Sequence, residues 1–540
     1  MTIMKNRIKI YLAAGLLTAT ASCTDLDVDI KSQLTEFPES DIAAEAKLAD
    51  TYYAFRGALG RRYMEGITLS SDEFTSISYD TDYGKGEYSK CNLHMSSPDD
   101  ANIGWYEDLE GGITKCNRAI YMDFEGEDDP LVAPVLAMRA FYHFILMDAY
   151  GDIPILDHML EEGEALERSP RAKVSEFIED DLLKALPNLS KDVDGVTYGK
   201  PNYWMAKALL AKLYINWAVY TATDVATYTP SATNSKLADC ISICDEIITS
   251  GKFDLSNGYR EKFWPENGPH IKDFIYVMPY DGVTQQGMAW ARGSIWRQAK
   301  GMDPSYLGFK LNQSVAGNFA VNTHMVDLLQ ELPGDERAKI LIGGPVYIYD
   351  SNREPTDQPF IYNGEQVVFT KEITLKEGPE NLLDLNTGKS VEGWSQGYRC
   401  LKWFPTYEDY LRSNRDQSND VPIFRYADIL LIKAEAILRG ATATNGDTPA
   451  SLMNQIRAYV GAPEVEGTPT LQDLLDERGR EFFQEIWRRN DLIRFGNFED
   501  DWGFKHIAHP EAKTEKWRRI FPLPTGILKK NTNWDQNYGY

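Results

Sequence analysis

Apolar residues recur at intervals of three and four positions over much of the chain, and this spacing predicts α-helices. The stretch VAPVLAMRAFYHFILMDAYG is the clearest case, because Leu136, Ala140, Phe144 and Met147 fall on one side of a helix that Gly151 would end. The same criterion predicts helices over residues 41–59, 101–123, 131–149, 172–186, 202–221, 235–250, 422–439, 448–460 and 468–494.

Small residues mark the places where these helices would cross. Two of the predicted helices carry alanine at such positions, namely Ala137, Ala140, Ala206, Ala208 and Ala211. A single helical hairpin cannot bury its apolar face alone, so we expect the pairs to stack into one scaffold. The spacing of the pairs is irregular, which predicts a degenerate tetratricopeptide-like arrangement.

The pattern changes in the middle of the chain, between about residue 255 and residue 420. Glycine, proline, asparagine, aspartate and aromatic residues dominate there, and short β-like runs occur at 274–277 and 366–369. We therefore predict a mainly α fold in which a helical scaffold (39–255 and 421–540) carries a loop-rich, partly β variable lobe (256–420).

The first residues have the layout of a secretory signal peptide. A basic head with Lys5, Arg7 and Lys9 precedes an apolar stretch that is too short to span a membrane, and two small residues follow directly before Cys23. This predicts a signal peptide over residues 1–22. Small residues before a cysteine also resemble the lipobox of bacterial lipoproteins, in which the cysteine is acylated. The alternative is a plain signal peptide that is cleaved nearby.

Composition and charge narrow the classes of function. The 540 residues are 43% hydrophobic, which excludes a disordered chain. A formal net charge of -25 repels phosphate backbones, so nucleic-acid binding is not expected. The five cysteines that follow Cys23 are irregularly spaced and odd in number, so they predict no disulfide framework.

The sequence predicts no metal site and no cofactor. Its seven histidines form no HxxxH or HExxH pair. The loop at 79–87 has alternating oxygen ligands at Asp80, Asp82 and Glu87, but it lacks the spacing of the twelve-residue calcium loop.

Four segments, in this order along the chain, resemble the SusD/RagB-like family of outer-membrane nutrient-binding lipoproteins. They are MRAFYHFILMDAYGDIPIL (138–156), PIFRYADILLIKAEAILRG (422–440), LLDERGREFFQEIWRRNDLIRFG (474–496) and FPLPTGILKKNTNWDQNYGY (521–540). The resemblance spans nearly the whole chain and is weakest in the 256–420 lobe. Tyr538 stands where the family usually has proline.

The resemblance implies a fold of tetratricopeptide-like helix pairs beneath a variable lobe. It implies a lipoprotein that is anchored in the outer membrane through Cys23, with a tether over residues 23–38. The acidic residues 24–29 resemble the export tag that takes such lipoproteins to the outer face. Such a protein would bind an oligosaccharide, or less often a peptide or another nutrient, and deliver it to a SusC-like TonB-dependent transporter. It would not be an enzyme.

Aromatic residues in loops are the candidates for binding a sugar, because sugar rings stack on indole and phenol rings while polar side chains bind their hydroxyl groups. Arg292 and Arg297 lie in the same region and would suit an acidic group. For each tryptophan the alternative interpretation is packing inside the lobe. The candidate ligand-binding residues are Trp290, Trp296, Tyr306, Asp72, Tyr79 and Tyr83.

One carboxylate cluster raises the alternative of a secreted glycoside hydrolase. Glu477, Glu481 and Glu485 share a face of a predicted helix, and paired carboxylates perform acid–base chemistry in such enzymes. Arginines are interleaved with them, and the spacing of Glu485 and Arg489 is that of a helix ion pair. The sequence therefore favours an ion-paired scaffold helix. A structural adhesin without affinity for small ligands is a third possibility.

Overall fold

The computed structural model describes residues 41–80, 86–296, 305–376, 383–411 and 415–540. The predicted signal peptide, Cys23 and the tether lie outside the described residues, as do Tyr83 and Arg297.

Eleven helices of eight or more residues lie in the described part of the chain. They are α1 (Asp41–Tyr52), α2 (Tyr106–Arg118), α3 (Ala133–Tyr150), α4 (Arg171–Ala185), α5 (Tyr203–Ile215), α6 (Leu237–Thr249), α7 (Thr323–Gln330), α8 (Tyr426–Leu438), α9 (Pro449–Val460), α10 (Leu471–Glu481) and α11 (Arg488–Phe495). Shorter α-helical turns occupy Arg56–Ala58, Met64–Leu69, Glu87–Asn92, Trp217–Tyr220, Ala291–Ser294, Val391–Trp394, Lys505–Ala508 and Thr525–Lys530.

The strands are short and pair two by two, always antiparallel: β1 with β3, β2 with β12, β4 with β11, β5 with β10, β6 with β7 and β8 with β9. Their bounds are β1 (Phe74–Ser76), β2 (Phe274–Met278), β3 (Phe319–Val321), β4 (Leu341–Ile342), β5 (Gly344–Pro345), β6 (Tyr347–Tyr349), β7 (Pro355–Pro359), β8 (Ile361–Tyr362), β9 (Glu365–Gln366), β10 (Val368–Phe369), β11 (Arg399–Cys400) and β12 (Val421–Arg425).

Helix α3 lies at the centre of the hydrophobic core. It is apolar on nearly every side, and only Pro134 and Asp148 are not fully buried. Its neighbours are α2 and α4, while α5 packs on α6, and α8 packs on both α6 and α9. Ala137 and Ala140 in α3 are fully buried, as expected where helices approach closely. The structure confirms the predicted fold class, a mainly α scaffold of tetratricopeptide-like helix pairs with a loop-rich, partly β portion.

The stretch Pro130–Tyr150 is the one helical segment among the described residues with the length and apolar character of a membrane span. Of its most apolar window, 83% is buried inside the protein. Burial of this kind is typical of the core helix of a folded domain.

Several predicted helices are shorter than their patterns indicated or are interrupted, and the cause is clear for two of them. Residues 421–425 form strand β12 instead of the first turn of a helix, because they pair with β2 and bring the two ends of the middle segment side by side. The predicted helix 468–494 breaks after Glu481. Gln484 adopts a φ of 55° there, and its side chain donates a hydrogen bond to Ser294 Oγ at 2.7 Å. Tertiary contacts therefore override the helical pattern at both places.

Candidate ligand-binding surface

The β1–β3 pair separates two groups of predicted site residues. Tyr79 follows β1 at one end, whereas Asp72 precedes it at the other. Asp72 contacts Arg488 and His324, whereas Tyr79 stacks on Trp394, so the two side chains lie among different neighbours. A role of either residue in ligand binding stays a prediction.

Four aromatic side chains meet at the Tyr79 end of β1, and we name them the aromatic base: Tyr79, Trp296, Tyr306 and Trp394. The rings of Tyr79 and Trp394 stack with centroids 3.7 Å apart and planes inclined by 14°. Trp296 donates its indole N–H to the carbonyl oxygen of Trp394 at 2.9 Å, and its backbone N–H to Tyr306 Oη at 3.0 Å. The structure thus brings three predicted site residues together with one that sequence reasoning missed.

All four side chains of the aromatic base are buried. Tyr79, Trp296 and Tyr306 are 0% exposed and Trp394 is 3% exposed. Phe360 and other lobe residues cover the ring of Trp296. The aromatic base therefore supports the surface above it from inside the protein. A direct contact between these rings and a ligand stays a prediction.

Trp290 does not join the aromatic base. Its ring is fully buried and packs edge-on against Trp403, with centroids 4.8 Å apart. Its indole N–H donates to the carbonyl oxygen of Leu59 at 3.0 Å. This is the packing role that was the alternative interpretation for each tryptophan.

Arg399 holds the loop that carries Trp394. Its guanidinium is fully buried and donates to the carbonyl oxygens of Trp394 at 3.0 Å, Gln396 at 2.8 Å and Gly397 at 3.1 Å. Burial lowers the pKa of Arg399 below its usual value. The guanidinium fixes three backbone carbonyl groups within residues 394–397 and so orients the stacked pair.

A first polar cluster surrounds Asp80, directly after Tyr79. Asp80 Oδ1 accepts hydrogen bonds from Lys376 Nζ at 2.9 Å and from Asn386 Nδ2 at 3.0 Å. The hydrogen bond from Lys376 is the main cause that lowers the pKa of Asp80. Asp80 has a φ of 57°, a conformation that aspartate and asparagine tolerate better than most residues. Lys389 approaches the same carboxylate at 3.7 Å.

A second polar cluster surrounds Glu65. Tyr88 donates its hydroxyl to Glu65 Oε2 at 2.8 Å, and Arg61 and Arg292 approach Glu65 Oε1 at 3.4 Å and 3.9 Å. Arg292 is also linked to the aromatic base. Its carbonyl oxygen accepts the N–H of Gly317, whose own carbonyl oxygen accepts the hydroxyl of Tyr79. The two polar clusters therefore flank the aromatic base, and we name the whole the candidate surface.

Asp72 serves a different role. It receives two hydrogen bonds from the buried guanidinium of Arg488, at 2.8 Å and 2.7 Å, and lies 3.2 Å from His324 Nε2. Burial alone would raise the pKa of Asp72, but Arg488 and His324 hold it well below its usual range. Asp72 thus joins β1 to the start of α11.

The three carboxylates that raised the hydrolase alternative are buried and ion-paired. Arg425 binds both Glu481 at 2.7 Å and Glu485 at 2.9 Å. Arg337 lies 2.8 Å from Glu477. The prediction of an ion-paired scaffold is confirmed. The predicted pair of Glu485 with the arginine four positions later is wrong, because Arg425 occupies its carboxylate instead.

Two family models match the chain. One, described as "SusD family", matches residues 273–540. The other, described as "Starch-binding associating with outer membrane", matches residues 26–215. The two matched ranges leave only the N-terminus and residues 216–272 outside.

Known relatives align over almost their full length. The "Starch-binding protein SusD" of Bacteroides thetaiotaomicron is 22% identical over 585 residues, which cover 99% of each chain. The "SusD-like protein P38" of Formosa agariphila is also 22% identical, with 98% of each chain covered.

Solved structures share the fold. A "Laminarin binding SusD-like protein" superposes with a TM-score of 0.67 at 18% identity, covering 93% of this chain and 100% of that chain. The "Surface glycan-binding protein A from Bacteroides fluxus" gives 0.68 at 18% identity with the same coverage. Both family models and these full-length similarities agree, and we conclude that the protein belongs to the SusD/RagB-like family.

Proposed function

We propose that this protein binds oligosaccharides at the outer surface of the bacterial outer membrane. The observation that carries the proposal is membership of a family whose relatives are named for starch, laminarin and surface-glycan binding. The description of one matching family model also refers to association with the outer membrane.

The candidate surface has the chemistry that a sugar requires. Hydroxyl groups bind carboxylates, amides and cations, and the two polar clusters supply all three kinds of group through Asp80, Asn386, Lys376 and Arg61. The aromatic base keeps these groups at fixed positions. A preorganised surface loses little conformational entropy on binding, which favours affinity.

We further propose that the protein delivers its ligand unaltered to a SusC-like TonB-dependent transporter. A lipid anchor at Cys23 would keep it beside such a barrel, since acyl chains hold a protein to the bilayer by their buried methylenes. Catalysis is not part of the proposal, because Glu477, Glu481 and Glu485 already neutralise buried arginines.

Replacing Asp80 with asparagine tests the place of the site. Asparagine tolerates the same backbone conformation but removes the charge, so a ligand hydroxyl loses a charge-assisted hydrogen bond. We expect the dissociation constant for a bound oligosaccharide to rise about tenfold, since such a bond contributes on the order of 1.5 kcal/mol. Isothermal titration calorimetry measures this change.

The matched control is Asp192→Asn, which removes the same charge from an exposed loop. It should leave the dissociation constant unchanged. If the Asp80→Asn variant binds the same oligosaccharide as tightly as the parent protein, the binding site does not lie at the candidate surface.

A further inference from the structure

A cleft lies at the other end of β1, beyond Asp72. It consists of two adjoining cavities of about 350 Å³ and 400 Å³, which share His324, Asp501 and Trp502 as lining residues. Both volumes lie within the usual range for small-molecule sites. No residue of the aromatic base or of the two polar clusters lines either cavity.

The lining of the cleft is strongly acidic. The basic side chains that line it are those of Arg488 and His324, and both contact Asp72. Among the described residues, Glu372, Asp476 and Asp500 have no cationic group within ion-pair distance. The six carboxylates that line the two cavities are Asp72, Asp327, Glu372, Asp476, Asp500 and Asp501.

Cations behind the lining reduce this charge only in part. Lys371 pairs with Asp327, and His506 lies 3.5 Å from Asp501. Lys505 lies 3.1 Å from the ring centroid of Trp502, and burial lowers the pKa of its ammonium to about 7. A ligand in the cleft therefore meets a surplus of negative charge.

Trp502 provides a second, independent feature of a ligand site. It is 7% exposed and lines both cavities, and its indole N–H has no hydrogen-bond acceptor in the part of the chain that the structure describes. A buried donor without an acceptor is uncommon in folded proteins, because it carries a desolvation cost. The side chains of Gln472 and Asn497 add amide groups to the same cavity.

We propose that this cleft is a second binding site, separate from the candidate surface, for a saccharide that carries free ammonium groups. The ammonium groups would bind the carboxylates that lack a cationic partner. The hydroxyl groups would bind Gln472 and Asn497 and would accept the indole N–H of Trp502.

Calorimetric titration of the full-length chain in detergent with a chitosan oligosaccharide tests the proposal. The matched probe is the fully N-acetylated oligosaccharide of the same length, which keeps the sugar rings and loses the charges. We expect saturable binding of chitosan and at least about tenfold weaker binding of the N-acetylated probe. Absence of chitosan binding, or equal binding of both probes, would overturn the proposal.

Two variants locate the binding in the cleft. Asp476→Asn/Asp500→Asn removes two carboxylates and should weaken chitosan binding about tenfold. The control Glu125→Gln/Glu162→Gln changes the net charge equally at exposed positions outside the cleft and should have no such effect. If chitosan binding weakens equally in both double variants, the weakening comes from the overall charge of the protein. The assignment of the binding site to the cleft would then be wrong.

Two further measurements test the saccharide itself. Trp502→Phe keeps an aromatic ring and removes the N–H, and we expect chitosan binding to weaken several-fold while the circular dichroism spectrum stays unchanged. A lysine peptide carries ammonium groups without sugar rings. If it binds as tightly as chitosan, the cleft recognises cations alone and the proposed saccharide class is wrong.

Discussion

Replacing Arg425 with methionine is expected to lower the free energy of unfolding by about 3–5 kcal/mol, because removal of one partner leaves the other charges buried. The guanidinium is 2% exposed and lies 2.6 Å from Asp273, 2.7 Å from Glu481 and 2.9 Å from Glu485. Each carboxylate keeps one other cation, since Lys262 pairs with Asp273, Arg337 with Glu481 and Lys402 with Glu485. All three lose the charge-assisted hydrogen bond of the guanidinium, and the buried cluster loses one positive charge. Urea unfolding followed by circular dichroism measures the loss.

The matched control is Arg118→Met, which removes an exposed arginine from α2. Its effect should stay below about 1 kcal/mol, as for most exposed charges. If Arg425→Met cost no more than the control, the buried ion pairs would not hold β12 to α10, and the structural interpretation of this carboxylate cluster would fail.

Replacing Trp296 with alanine is expected to cost about 3–5 kcal/mol of stability, the usual loss when a buried tryptophan side chain is removed. The ring is fully buried, packs against Phe360 and Phe369, and donates its N–H to Trp394. Thermal or urea unfolding of the variant measures this cost. Trp217→Ala is the control, because its ring is only partly buried.

The outcome distinguishes two roles for Trp296. An exposed platform for a sugar would lose ligand affinity in the alanine variant with little change in stability. A buried member of the aromatic base should lose stability first, and Trp296→Phe should restore most of it. A stable Trp296→Ala variant that no longer binds its oligosaccharide would contradict the placement described here.

The fold was largely predictable from the sequence. Helical periodicity and small residues such as Ala137 and Ala140 report local structure and close packing, which is why most helices appeared where expected. The first turn of the predicted 422–439 helix became β12 because its partner, β2, lies more than 140 residues earlier. The break at Gln484 depends on Ser294, 190 positions away, and no local pattern records such a contact.

The candidate site was predictable only as a region. Aromatic residues among glycines and cations indicated the segments that carry Trp296, Tyr306 and Tyr79, and the structure brings these side chains together. Their burial depends on lobe strands that are distant in sequence. The position of Asp72 apart from the aromatic base could not be predicted, because its partner Arg488 is 416 positions away. Trp394 satisfied the same aromatic-in-loop criterion and could have been found by it.

One experiment tests directly whether the protein binds oligosaccharides and leaves them unaltered. The full-length chain is titrated with a panel of oligosaccharides in a calorimeter, and the masses of the recovered sugars are then determined. We expect saturable binding of at least one oligosaccharide, which is recovered at its original mass. Shortened products would show that the protein is a hydrolase, and binding of peptides without any sugar would show that its nutrient belongs to another class. Either result would contradict the proposed function.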